Sequence, residues 1–325
     1  MRQIVKDKLT FALKYSTGII LLIWILSRVN RQDLVATFLN LGFADILVVL
    51  VIAVANLAIQ FHLWKFLVES HSQHLNFKDL LPSFLAGFAF RLIIPGGHAE
   101  VTKIFLLRGK KRGKVIAFGI EKFFQTFLKI ILVLFAIPLV FPEHRIVLYT
   151  AGSLVILSFF ILPFVLKKER FSKHQEKDVS YSRIFLMSLA HSIPMFLCNA
   201  LQYYYLLTLA NGISFFQVIM VTVFVWGAGL IPISISGLGV RENLVVFFLS
   251  LYGISGATGV AVSLFVFFIN AILPAIAGVF VIMKRRHDIK EAGSEIRKIT
   301  KSVYEKGRQR FNGRQHNKNI EKSDE

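Results

Sequence analysis

Pro232-Ile233-Ser234-Ile235-Ser236-Gly237-Leu238-Gly239-Val240-Arg241-Glu242 interrupts a region that otherwise carries no charge. From Ile184 to Val240, and again from Asn243 to Met283, there is no Asp, Glu, Lys or Arg. A helix that crosses a bilayer needs about 20 apolar residues, so these stretches hold several spans. The quoted segment, with its proline, two glycines and Arg-Glu pair, does not read as the middle of an ordinary one. Uniform apolarity without period-2 alternation favours helices over an outer-membrane barrel.

The whole chain agrees. Of 325 residues 55% are hydrophobic and only 18% charged, against about a quarter charged in soluble proteins. Lys and Arg number 38 against 19 Asp and Glu, a formal net charge of +19. This excludes most soluble enzymes, disordered proteins and simple nucleic-acid-binding domains; no nucleic-acid partner is needed to explain the basic residues. The single cysteine, Cys198, permits no intrachain disulfide and no cysteine metal site. His71 and His74 have metal-like spacing but no further ligands nearby, so neither a metal nor a cofactor is expected.

Candidate full spans are Leu9–Ser27, Asp45–Val68, Val115–Phe141, Ile146–Leu166, Ile184–Ala210 and Ala257–Met283. The first reads as an uncleaved helix with Lys14 snorkelling to an interface. Orientation follows from the loops. Lys103–Lys114 carries Lys103, Arg108, Lys110, Lys111, Arg112 and Lys114 with no acid, and Lys167–Arg183 and the tail after Met283 are also basic. The positive-inside rule places all three, and both termini, in the cytoplasm. The expected domains are a membrane region, 1–283, in halves of about 1–166 and 167–283, and a basic cytoplasmic tail, 284–325.

Two segments do not fit as simple spans. Residues 80–107 break at Pro95-Gly96-Gly97, and residues 215–254 break at the quoted segment. Both read as re-entrant hairpins dipping in from opposite faces; ordinary kinked helices are the alternative. Broken backbone at membrane depth is tolerated where it lines a cavity or is buried in protein. Paired Gly/Pro-interrupted segments in corresponding halves point to a transport site. The expected fold is thus all-α: a polytopic transmembrane helical bundle of about six full spans and two re-entrant broken-helix hairpins in opposed orientation.

Arg241 and Glu242 are the only strongly ionisable residues between Ile184 and Met283. Neighbours on a helix point in different directions, so each is expected to have a partner other than the other. A guanidinium suits a carboxylate or phosphate, Gly237 and Gly239 allow close backbone approach, and the following helix start favours an anion. With Ser236 they describe an anion pocket. The alternative is that Glu242 caps its own helix and the glycines serve packing. In the first break Arg91, His98 and Glu100 either line the cavity opposite Arg241 or, for Glu100, pair with Lys103 three residues on. Glu121, Lys122, Gln125, Thr126 and Lys129 form a polar stripe on one span, which reads as a structural ion-pair network or as a transport path. His62, Asn56, His191 and Asn199 read as interhelical hydrogen bonds.

At these residues the chain resembles the transmembrane region of bacterial lysylphosphatidylglycerol synthases and its stand-alone, flippase-like relatives. Pro232 through Glu242, Gly253-Ile254-Ser255, and the last span with Pro274 and Gly278 carry the strongest likeness; Pro95-Gly96-Gly97-His98-Ala99-Glu100 and Glu121-Lys122 carry a looser one. The family usually has Gly where Ala99 stands and Arg where Lys122 stands. The resemblance implies a protein handling an anionic lipid, a phospholipid or a polyprenyl-phosphate-linked glycan, between leaflets of the cell membrane, with Arg241 on the phosphate. Only a short polar tail follows Met283, where aminoacyl-transferring members carry a soluble domain, so the chain is expected not to be an enzyme. The alternatives are a non-transporting partner that presents lipid to a separate envelope or glycolipid enzyme, lipid-modifying or glycosyltransferase, and a membrane transferase using Glu100 or Glu121.

Overall fold

The computed structural model describes residues 19–71, 76–93, 99–107, 111–166, 180–210, 212–230 and 237–284. Lys14 and the start of the first expected span, His74, the Pro95-Gly96-Gly97 break with His98, Ser236 and its neighbours from 231, the 167–179 loop and the basic tail beyond Lys284 lie outside them. Contacts divide the chain into residues 1–279 and a terminal unit of 280–325, of which only the end of one helix is described.

Among the described residues all regular structure is helical. In chain order the α-helices are α1 (Ile19–Arg28), α2 (Arg31–Leu39), α3 (Phe43–His71), α4 (Phe77–Ile93), α5 (Lys111–Val140), α6 (Arg145–Leu166), α7 (Tyr181–Ala210), α8 (Phe215–Gly227), α9 (Val240–Ser250), α10 (Gly256–Phe267) and α11 (Leu273–Lys284). Five stretches are long and apolar enough to cross a membrane: Phe43–His71, Gly113–Val140, Pro142–Ile161, Tyr181–Leu209 and Gly256–Lys284. They overlie five of the six expected spans. The sixth is described only from Ile19. The chain is a polytopic helical bundle.

Both interrupted segments are helical hairpins whose limbs pack on each other. In the first, α4 is followed by a 3-10 helix, Ala99–Leu106, rather than a second α-helix. Ser83 on α4 donates to the Lys103 carbonyl at 2.7 Å, tying the limbs together. In the second, α8 ends in a 3-10 turn, Ala228–Leu230, and α9 returns beside it. The rings of Phe224 and Phe248 stack across this hairpin, 4.1 Å apart. Entry to α9 uses Gly237 and Gly239 at φ of 79° and 82°, a left-handed conformation that a side chain would strain. Ser214 starts α8 with a capping box to Gln217.

Two apolar clusters hold the bundle. One gathers Val49 of α3, Leu206 of α7, Val221 of α8, Val245 of α9 and Val262 of α10. The other gathers Trp64 of α3, Phe84 of α4, Phe124 of α5, Phe185 of α7 and Ala275 of α11. Helices α3 and α7 run through both. Lipid tails are as apolar as these side chains, so in a membrane close packing and interhelical polar bonds hold helices together. Gln202 of α7 donates to the Val49 carbonyl at 3.2 Å, and Tyr205 to Asp45 at 2.7 Å. His62 and His191 share a 2.7 Å interhelical hydrogen bond. Between α10 and α11 the backbone opens into a π-turn, Phe268–Ile272, carrying Asn270.

The closest backbone approach involves α11. A Cβ on Gly278 would lie 2.2 Å from the carbonyl oxygen of Leu85 on α4, so α4 rests directly on α11's main chain. Gly278→Ala should force the helices apart and destabilise the protein by about 1–3 kcal/mol, the usual range for overpacking. Thermal unfolding of detergent-solubilised protein measures it; an unchanged midpoint would refute this contact.

Candidate functional site

At the start of α9, Glu242 is fully buried. Its carboxylate turns back toward the helix end, where Oε2 accepts from the Gly239 amide at 2.6 Å. Oε1 accepts from Arg241 Nε at 3.0 Å, from Arg241 Nη2, and from the Ser263 hydroxyl at 3.2 Å. Ser263 also accepts from Arg241 Nε at 3.0 Å and from the Tyr203 hydroxyl at 3.4 Å. One hydroxyl proton and two lone pairs suffice for all three bonds. Arg241 then lies over the Phe267 ring, 4.4 Å from its centroid.

This corrects the expectation that Arg241 and Glu242 cannot neutralise each other. Glu242 curls into its own helix terminus, and the long Arg241 side chain wraps the first turn to reach it. The Gly239 amide, just before the helix start expected to favour an anion, is satisfied by Glu242. The carboxylate caps its own helix, and Arg241 is the group left at the cavity edge.

The first hairpin supplies a second ion cluster. Glu100 on the 3-10 helix accepts from Arg91 of α4 at 3.3 Å and pairs with Lys122 of α5. Lys103 meets Glu121 of α5 at 2.5 Å and lies over the Trp64 ring at 3.8 Å. No bond joins Glu100 to Lys103, so the expected pairing between them is not made. Glu121 and Lys122, adjacent on α5, point to different sides: Glu121 takes Lys103 and Lys122 takes Glu100, which Arg91 also meets. Lys122 also donates to Gln125 at 3.1 Å.

Lys129, two turns further along α5, differs from these. Its ammonium lies over Trp226, 5.4 Å from the ring centroid, and against Gly229, where a Cβ would come within 3.1 Å of it. Among the described residues it has no carboxylate partner.

A cavity of about 370 Å³ connects these groups. Arg91, Glu100, Lys122, Gln125 and Lys129 line it beside Gly237 and Arg241, so both hairpins and α5 contribute. Glu242 and Gly239 stand behind Arg241, and Glu121 lies beside Lys103 in a smaller neighbouring recess. His98 and Ser236 lie outside the described residues. Gln60, Asn270, Tyr203 and Trp226 also line the cavity, and Ser263 supports Arg241; the sequence reading passed over these. Spacing was the available signal, since Gln60 follows Asn56 by one helical turn. Asn56 and Asn199 prove to be cavity-lining groups. Asn199 Nδ2 donates to Met195 of its own helix at 2.8 Å rather than across helices.

Residues 9–278 match the family model described as the lysylphosphatidylglycerol synthase TM region. A search of curated proteins finds no match to the chain.

The Lys103–Glu121 pair is 2% and 4% exposed. Removing one member strands the other charge, so Glu121→Leu should cost about 3–5 kcal/mol. Lys103→Met with Glu121→Leu should be markedly more stable than Glu121→Leu alone. Melting midpoints of the two variants decide it; equal midpoints would show that the pair is not coupled.

Proposed function

We propose that this protein, which belongs to the lysylphosphatidylglycerol synthase TM-region family, binds the headgroup of an anionic lipid in the cavity and carries it between leaflets. The charge balance is the observation that supports this reading most. Arg91, Lys122, Lys129 and Arg241 line the cavity, and among the described residues only Glu100 and Glu242 oppose them. Unpaired charge inside a membrane bundle is expensive and marks functional positions. Among the described residues Lys129 has no acid beside it, and a phosphodiester placed between Lys129 and Arg241 would offset its charge. Glu242 holds the Arg241 fork in place; Glu100 positions Arg91 and Lys122.

In this reading the two hairpins dip in from opposite faces and open the cavity to each leaflet in turn. The basic loops lie in the cytoplasm, with both termini on that side of the cell membrane, as the positive-inside rule directs. The chain moves lipid without making or breaking covalent bonds. Any chemistry on the lipid belongs to a separate enzyme.

Leaflet exchange of a fluorescent phosphatidylglycerol analogue in vesicles containing the full chain tests the proposal. Lys129→Gln should lose most of the exchange while melting like wild type. Arg241→Ala should also lose exchange, but it strands buried Glu242 and should melt earlier as well. Exchange that depends on neither residue would overturn the mechanism. Lys129-dependent binding without exchange would instead support a lipid-presenting partner.

A further inference from the structure

Among the described residues Glu100, Glu121 and Glu242 are the buried acids, and they are not held alike. Glu242 accepts from four donors at the start of α9. Glu121 and Lys103 seal each other, with side chains only 5% and 3% exposed. Glu100 stands at the cavity edge. Its Oε1 accepts from Arg91 Nη1 at 3.3 Å, and Oε2 pairs with Lys122. The Arg91 and Lys122 side chains are 33% and 29% exposed against 11% for Glu100, so a group entering the cavity meets the cations before the acid.

The grip of Glu100 on Arg91 is incomplete. An ionised pair of this kind usually closes to about 2.7–2.9 Å, often through two nitrogens at once. Here one nitrogen is engaged at the longer distance, and Nε is buried with no partner among the described residues. The guanidinium instead rests over the Phe88 ring, 5.0 Å from its centroid. Its fork, suited to two oxygens of one anion, is therefore half used.

Charge separates this group from Lys129. Arg91 and Lys122 share one acid, which leaves the three with one positive charge in excess, equal to that on Lys129. Lys122 and Lys129 are seven residues apart on α5, so they share a face and lie about 10 Å apart along the axis. A phosphate group is too small to touch both. Two equal excesses at that spacing describe two positions for an anion rather than one.

We infer that Arg91 and Lys122 form a second anion station in the cavity, and that Glu100 is the exchangeable counter-ion built into it. The phosphodiester of an entering headgroup takes the Arg91 fork and the Lys122 ammonium, Glu100 yields part of its hold on them, and the four charges sum to zero. The headgroup then passes two turns along α5 to Lys129 and Arg241. Glu100 keeps the first station weak; without it a doubly positive site would hold the anion and slow its passage. This rests on the anion-handling reading above and adds a step to it.

Phosphatidylglycerol retained by the purified full chain, read by native mass spectrometry, and vesicle exchange of its fluorescent analogue test the inference together. Glu100→Gln should retain phosphatidylglycerol about tenfold better, the scale of one hydrogen bond to a charged group, and exchange it more slowly. Adding Lys122→Gln returns the station to one positive charge and should return retention to the wild-type level. Lys122→Gln alone strands no charge, since Glu100 keeps Arg91, so it should melt like wild type yet lose most exchange. That variant decides the matter if Glu100→Gln does not fold. Unchanged or weaker retention by folded Glu100→Gln, a gain that survives adding Lys122→Gln, or full exchange by Lys122→Gln would overturn the inference. Exchange that still depends on Lys129 in those cases would leave the anion reading standing. Retention and exchange that respond to none of Glu100, Lys122 and Lys129 would remove both.

Discussion

Four donors converge on the carboxylate of Glu242: the Gly239 amide, two nitrogens of Arg241 and the hydroxyl of Ser263. A buried carboxylate without such partners would be strongly destabilising. Its coordination joins three things that are separate in the chain. It closes the glycine turn between the limbs of the second hairpin, it starts α9, and through Ser263 it fixes that hairpin to α10. Tyr203, bonded to the same serine, extends the link to α7. At the described end of the backbone break the Gly239 amide is met by protein.

The first hairpin follows the same constraint with a different solution. Its limbs carry Arg91, Glu100 and Lys103, and α5 answers with Glu121 and Lys122. Lys103 is held between an acid and the face of Trp64, an arrangement in which an aromatic ring replaces part of the lost hydration. Among the described residues Arg241 is neutralised by Glu242, while Arg91 and Lys122 share Glu100, so the positive charge left at the cavity stands on that pair and on Lys129. The ion pairs therefore do more than hold helices together. They decide where the uncompensated charge is.

Much of this was legible in the sequence. The charge-free runs announced apolar helices, and the Pro/Gly interruptions marked both hairpins, because hydropathy and helix-breaking residues act locally. Charge or polarity in apolar surroundings singles out Arg91, Glu100, Lys122, Gln125, Lys129 and Arg241 of the cavity. Their pairing was not legible. Spacing along one helix offers Glu100 a pairing with Lys103 as one of two readings, whereas each meets α5 and Glu100 lines the cavity. Helical geometry points Arg241 and Glu242 apart, yet at the start of α9 the Glu242 side chain curls back to its own helix end and the Arg241 side chain wraps the turn to reach it. The amides of Gln60 and Asn270 carried no sequence signal beyond being polar in a span, since polar residues in spans most often serve helix contacts.

The sequence by itself determined that the chain is a helical membrane bundle and which side chains are too costly to bury without a reason. Those properties follow from the transfer of each residue out of water, which depends on the residue and its near neighbours alone. Only the tertiary structure decided which charge meets which. Ion pairing and hydrogen bonding depend on a few ångströms between helices far apart in the chain. That distance selection joined Glu242 to Ser263 and Glu121 to Lys103 and, among the described residues, left Lys129 at the cavity with no acid paired to it.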